Sequence, residues 1–173
     1  MTRRVCLTGV ESTGKSRLAP RLAARFGGVV MSEYGRDWAQ TNGVDFHRNA
    51  LAQIAAGHVA ARAAIERQGP ALIIEDTDIV MTSAWATMLH GRRDPDLAAI
   101  AATADLYLLF AADTPWVDDG TRQFGSDDRS RFDAVIRDEL DQRGIAATDI
   151  AGDWAQREAA AVDAIAAMLA SWS

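Results

Sequence analysis

Lysine is almost missing from this chain. Lys15 is the only one in 173 residues, and every other basic side chain is arginine. Cysteine is as scarce: Cys6 stands alone, which excludes an internal disulfide. Its place in an apolar run makes it a small core hydrophobe of a reducing compartment. No Cys/His spacing suggests zinc. Long hydrophobic runs are absent too, so no segment is expected to span a membrane. The apolar run behind the N-terminal arginines is too short for a signal peptide and ends at Glu11. Positive charge is in deficit, with Lys+Arg 18 against Asp+Glu 24 and a net charge of −6, which argues against general binding to nucleic acid or a membrane surface. Repeats, low-complexity tracts and linkers are missing as well. A single cytoplasmic domain over residues 1–173 is expected, long enough to bury a core.

What is present begins at residue 9. GVESTGKS has the form G-x-x-x-x-G-K-S, from Gly9 to Gly14, Lys15 and Ser16. Arg3 to Thr8 form an expected strand before it, and Ser16 to Phe26 an expected helix after it, with Leu18, Leu22 and Phe26 on one stripe. Strand, glycine loop and helix are the setting in which this motif binds phosphate. Backbone N–H groups converge on the anion, and the helix N-terminus adds its positive end. Lys15 reaches the outer phosphates and the Ser16 hydroxyl completes Mg²⁺ coordination. A planar arginine fork does not replace a compact ammonium in such a cradle, which explains why one lysine survives here.

Strand and helix signals then alternate. Strands are expected at 28–33, 71–76, 105–111 and 147–151, and helices at 46–68, 79–90, 95–103, 131–143 and 154–172. Alternation of this kind implies a parallel sheet covered on both faces, with ligands beyond the carboxyl ends of the strands. Residues 113–130 are polar and glycine-punctuated, suited to a lid. Glu33, Asp76, Asp78 and Asp113 all fall at strand ends, on the rim of the phosphate loop. Acids beside a polyphosphate call for Mg²⁺ between them or for a general base. Asp78 equally suits a helix N-cap. His58, on the apolar face of the 46–68 helix, reads first as a core or cleft-wall residue, and His47 and His90 as surface or cap residues. Trp38, Trp85 and Trp116 each follow a strand-end acid and together offer an aromatic wall.

These motifs resemble the ribosylnicotinamide kinase domain of NadR-type NAD-salvage proteins. The likeness is carried by GVESTGKS, by SEYGRDW (32–38), by DTDIVMTSAWATMLHG (76–91) and by DLYLLFAADTPWVDDGTR (105–122), in that order. It implies a P-loop NTPase fold of nucleoside/nucleotide-kinase type: a five-stranded parallel sheet, helices on both faces and a lid at about 113–130. The implied reaction is phosphorylation of the 5′-hydroxyl of nicotinamide riboside by ATP and Mg²⁺. Gly9, Glu11, Ser12, Thr13, Gly14, Lys15, Ser16 and Arg17 would hold ATP, with Arg129 and Arg157 assisting. Ser16 and Asp76 would hold Mg²⁺. Glu33 would be the general base, with Asp76 in reserve, and Arg122 would neutralise charge on the transferring group. Glu33, Tyr34, Arg36, Trp38, Asp78, Trp116 and Asp119 would meet the acceptor, a cation that suits an acidic rim with a tryptophan to stack on its ring. No adenylyltransferase motif or helix-turn-helix segment precedes the domain, so a stand-alone kinase is expected. The rival readings are a P-loop kinase for another nucleoside or small alcohol, and a non-catalytic ATP-gated binding protein. A GTPase switch is disfavoured, because its Asn-Lys-x-Asp turn needs a second lysine.

Overall fold

Five parallel strands build the centre of the molecule, in the order β2-β3-β1-β4-β5. They are β1 (Arg3–Gly9), β2 (Val29–Met31), β3 (Leu72–Asp76), β4 (Leu106–Phe110) and β5 (Ala147–Ile150) in a computed structural model that describes residues 1–102, 104–115 and 128–171. The helices are α1 (Lys15–Phe26), α2 (Tyr34–Asn42), α3 (Arg48–Glu66), α4 (Ile79–His90), α5 (Pro95–Ala99), α6 (Arg129–Gln142) and α7 (Trp154–Ala170).

The central strands are apolar on both sides because both faces are covered. Period-two alternation divides them between two layers. Val5, Leu7, Ile74, Leu108 and Phe110 pack with Leu18 and Leu22 of α1 and Ile165 of α7. Cys6, Tyr107 and Leu109 face the other way, onto Val80, Met81 and Ala84 of α4 and Phe132 and Ile136 of α6. A third cluster joins Leu51 and Ile54 of α3 to Ile79 and Ala86 of α4. Cys6 is fully buried and free, as its place in the strand requires.

Three differences from the expected elements matter for the site. A helix, α2, occupies Tyr34–Asn42, where no element is expected; its short polar face hides the helical period. Strand β2 ends at Met31, so Glu33 lies beyond it as the N-cap residue of α2, in extended conformation. Helix α6 starts at Arg129 rather than Arg131, which takes Arg129 and Ser130 out of the expected lid and into a helix. His47 caps α3 by accepting from the Ala50 N–H at 3.1 Å, as a cap reading implies. Among the described residues, no helix is long and apolar enough to cross a membrane.

Candidate active site

The loop between β1 and α1 is shaped by a few backbone requirements. Ser12 adopts a left-handed φ of 63°, a conformation rare for a residue with a Cβ. Gly14 has φ 89°, and a Cβ there would fall 2.6 Å from a ring carbon of Trp154. The glycine therefore serves two ends, turning the chain and letting the indole lie against the loop. Helix α1 has no side-chain cap, so its first N–H groups are left for an anion.

Lys15 is folded back over this loop. Its Nζ donates to the Gly9 carbonyl at 2.7 Å, the Val10 carbonyl at 2.8 Å and Thr13 Oγ1 at 3.3 Å. Burial pulls its pKa below the ordinary lysine value, while Asp76 and Glu33 oppose that shift. Two backbone carbonyls and a hydroxyl accept from the one lysine, and two carboxylates lie near it. The ammonium is held in place over the loop by these contacts.

Beside it lies a cavity of about 620 Å³. One end is the loop, with Gly9, Glu11, Ser12, Thr13, Gly14, Lys15, Ser16 and Arg17 in its wall. The other end is apolar and aromatic, built from Phe46, Leu51, Ile54, Met81 and Trp85, with Thr82 and His58 among them. Glu33, Tyr34, Arg36 and Asp78 line the wall as well. Glu33 is half-buried, and Arg36 Nε approaches its Oε2 at 3.4 Å. Burial, and next the neighbouring Asp76 charge, push the Glu33 pKa above the usual carboxylate range, which Lys15 and Arg36 only partly offset. A carboxylate tuned upward beside a polyphosphate loop has the character of a general base.

The two aspartates that follow β3 differ. Asp78 is buried and engaged: its Oδ1 accepts from the Val80 N–H at 2.9 Å and its Oδ2 from the Tyr107 hydroxyl at 2.6 Å. The N-cap reading of Asp78 therefore holds, and its place in the cavity wall leaves an acceptor role open as well. Asp76 is also buried, and its Oδ1 has no hydrogen-bond partner. An enclosed, unpartnered carboxylate oxygen is costly unless a ligand answers it. Among the described residues no three His, Cys, Asp or Glu side chains cluster as a metal cage. Mg²⁺ needs none, since it binds through one or two protein oxygens, substrate phosphates and water. Asp76 and Ser16 fit that requirement.

Other expected site residues are placed differently. Trp38 is not in the cavity wall; it packs on Phe46 with ring centroids 6.1 Å apart. The aromatic wall is instead Phe46 and Trp85, edge to face at 5.1 Å. Arg129 is buried, and donates to the Thr114 and Glu11 carbonyls, binding the start of α6 to the phosphate loop. Arg157 is enclosed as well. It donates to the Gly152, Ile150 and Ala111 carbonyls and pairs with Asp113. With Trp154, Arg17 and Thr13 it forms the wall of a second cavity of about 490 Å³ behind the loop. Trp116, Asp119 and Arg122 lie outside the described residues. Phe46, Met81 and Thr82 were not among the expected site residues. Their signal was faint: Met81, Thr82 and Trp85 share one face of α4 at helical spacing, a pattern that core packing also produces.

The AAA_28 family, described as an AAA domain, matches residues 4–157. The chain belongs to this family. It is also 32% identical over 150 residues to the trifunctional NAD biosynthesis/regulator protein NadR of Escherichia coli (strain K12), covering 83% of this chain and 37% of that protein. The NadR of Salmonella typhimurium is 33% identical over the same share of each. This AAA_28 chain thus spans little more than a third of the length of those relatives. Among solved structures, a NadR protein in complex with NR superposes with TM-score 0.81 at 22% identity, over 96% of this chain and 51% of that one. Another NadR structure, with NAD and AMP-PNP, gives 0.75 at 20% identity, over 98% of this chain and 50% of that one. Thymidylate kinase from Ehrlichia chaffeensis gives 0.66 at 15% identity, over 96% and 98%. The AAA_28 chain therefore has the P-loop kinase fold.

Proposed function

We propose that the domain is a kinase that passes the γ-phosphoryl group of ATP to the 5′-hydroxyl of nicotinamide riboside, forming nicotinamide mononucleotide. One observation carries this reading: the Lys15 loop, Glu33 and the aromatic residues Phe46 and Trp85 all line a single cavity. Likeness to NadR, solved elsewhere with NR and with AMP-PNP, supports the choice of acceptor and donor.

In this reading the loop amides and Lys15 hold the phosphates, and Phe46 and Trp85 enclose the acceptor ring. The ring is cationic, so an aromatic wall near Glu33 and Asp78 suits it. Glu33 accepts the proton of the 5′-hydroxyl as its oxygen bonds to the γ-phosphorus, and the bond from that phosphorus to the β–γ bridging oxygen breaks. ADP leaves with the electron pair. Ser16 and Asp76 would hold Mg²⁺, which when bound supplies positive charge to the phosphates.

The test is ADP release from Mg-ATP against nicotinamide riboside, adenosine, uridine, thymidine and small polyols, with Lys15→Ala as blank. Selective turnover of nicotinamide riboside is expected. Turnover of another alcohol alone would replace the substrate while keeping the kinase. ATP binding without turnover on any alcohol would instead favour a gated binding protein.

A further inference from the structure

The left-handed φ of 63° at Ser12 needs a cause outside the residue itself. A side chain with a Cβ leaves that region unless its surroundings over-determine the backbone. The torsions at Ser12 relate two rigid peptide planes, one on each side of its Cα. The plane before it holds the Glu11 carbonyl, and the plane after it the Ser12 carbonyl. Lys15 answers the two preceding carbonyls, at Gly9 and Val10. Those of Glu11 and Ser12 are met from distant parts of the chain.

Arg129, the first residue of α6, donates from NH2 to the Glu11 carbonyl at 3.2 Å. Thr114, beyond the end of β4, donates from Oγ1 to the Ser12 carbonyl at 2.9 Å. The two donors are themselves joined. Arg129 NH1 donates to the Thr114 carbonyl, and NH2 approaches Thr114 Oγ1 at 3.4 Å. Arg129 is buried and Thr114 half-buried, so water competes little for these bonds. Across a trans peptide, a carbonyl and the N–H that follows it point in opposite directions. Drawing the Glu11 carbonyl towards Arg129 therefore turns the Ser12 N–H away from it. Drawing the Ser12 carbonyl towards Thr114 does the same for the Thr13 N–H. Ser12 and Thr13 both line the cavity at the loop, and converging loop N–H groups are what cradles α- and β-phosphates.

We propose that Thr114 and Arg129 are positioning residues that fix the backbone of Ser12 and so aim the Ser12 and Thr13 N–H groups at the phosphates of the donor. This deepens the kinase reading above, and rests on its phosphate loop rather than on its choice of acceptor. Arg129 acts through the loop backbone and not through its own charge on the transferring group. The two roles differ in what they recognise. An arginine that touched the γ-phosphoryl group would matter for a triphosphate and hardly for a diphosphate, whereas one that shapes the loop matters equally for both.

The experiment measures binding of ADP and of AMP-PNP, each with Mg²⁺, to the full chain by calorimetry, and follows the backbone amide resonances of the loop. Thr114→Val keeps the shape of the side chain and removes the hydroxyl. It should weaken both nucleotides by the same factor, about threefold to tenfold, the usual effect of one lost hydrogen bond. Thr114→Ser should restore wild-type binding. Arg129→Lys keeps the charge but loses the fork that spans two acceptors, and should weaken both nucleotides alike. In wild type, ADP should move the Ser12 and Thr13 amide protons downfield. Thr114→Val should reduce that shift at Thr13, and Arg129→Lys at Ser12, with the Lys15 amide shift kept; general loosening of the fold would not select single amides. If Arg129→Lys does not fold, the two Thr114 variants decide. Loss confined to AMP-PNP, unchanged binding in Thr114→Val, or no rescue by Thr114→Ser would overturn the proposal. Wild type that binds neither nucleotide would remove the phosphate-loop reading together with it. Wild type that binds both but turns over no nicotinamide riboside would remove only the acceptor, and the binding results would still decide the roles of Thr114 and Arg129.

Discussion

At the scale of single residues, the site depends on groups held in conformations and charge states that an isolated residue would not adopt. Lys15 is desolvated and ringed by acceptors. Lys15→Ala should lower kcat by about 10²–10³-fold or more, since a preorganised charge at the transferring group is lost. Glu33→Gln should lower kcat by about 10²–10⁴-fold with KM for the acceptor nearly constant, as removal of a general base does. Unchanged turnover in that variant would remove Glu33 from the chemistry. The raised Glu33 pKa sets a sign for pH effects. Between the ordinary value of 4.5 and the raised one, folded Glu33 keeps a proton that the unfolded chain releases. Its contribution to stability is therefore present at low pH and lost as pH rises through the raised value. Melting curves of wild type minus Glu33→Gln should decline across that window, and the acidic limb of the wild-type kcat profile should lie above 4.5.

Among the elements, α2 is the one that brings Glu33, Tyr34 and Arg36 to one cavity. It places Tyr34 and Arg36 in the cavity wall and leaves Glu33 at its N-cap. What seats it is Gly57 in α3: a Cβ on Gly57 would overlap the Tyr34 ring. Glycine inside a helix normally costs about 1 kcal/mol relative to alanine, so its presence is a packing requirement. Gly57→Ala should therefore destabilise the fold by about 1–3 kcal/mol through overpacking, against the gain its helix propensity predicts, and should raise KM for the acceptor by displacing Tyr34. Urea titration and steady-state kinetics check the two effects. A more stable variant with unchanged KM would show that α2 is seated by other contacts.

For the whole molecule, the sheet order β2-β3-β1-β4-β5 brings the carboxyl ends of β1 and β3 side by side. Thr77 N–H donates to the Leu7 carbonyl at 3.0 Å, so the Asp76 turn is pinned beside the phosphate loop. Ligand binding there should stabilise the whole fold. Mg²⁺ with a non-hydrolysable ATP analogue at about a hundred times its Kd adds about 2.7 kcal/mol, a rise in Tm of about 5–11 °C for a chain of this size. EDTA should remove most of that rise. Asp76→Asn should retain the metal-free response to nucleotide and lose the Mg²⁺ increment, because the unpartnered Oδ1 is what the ion would meet. An equal Mg²⁺ increment in the variant would take Asp76 out of the metal site.

The amino-acid sequence by itself determined the phosphate loop, the alternation of strands and helices, and the aspartates that end and follow β3, because each is written in residues that are neighbours or share one short period. Tertiary structure alone decided the rest. Periodicity says that Trp38 and Trp85 are both semi-apolar helix residues; only packing turns Trp85 into the cavity and Trp38 onto Phe46. The family resemblance implies that Arg129 and Arg157 assist in holding ATP; only the folded chain shows the backbone carbonyls from distant positions that both of them meet. Glu75 and His58 are 17 residues apart on different elements and meet only because α3 packs against the sheet. A contact of that kind is set by how layers pack, and no local signal carries it.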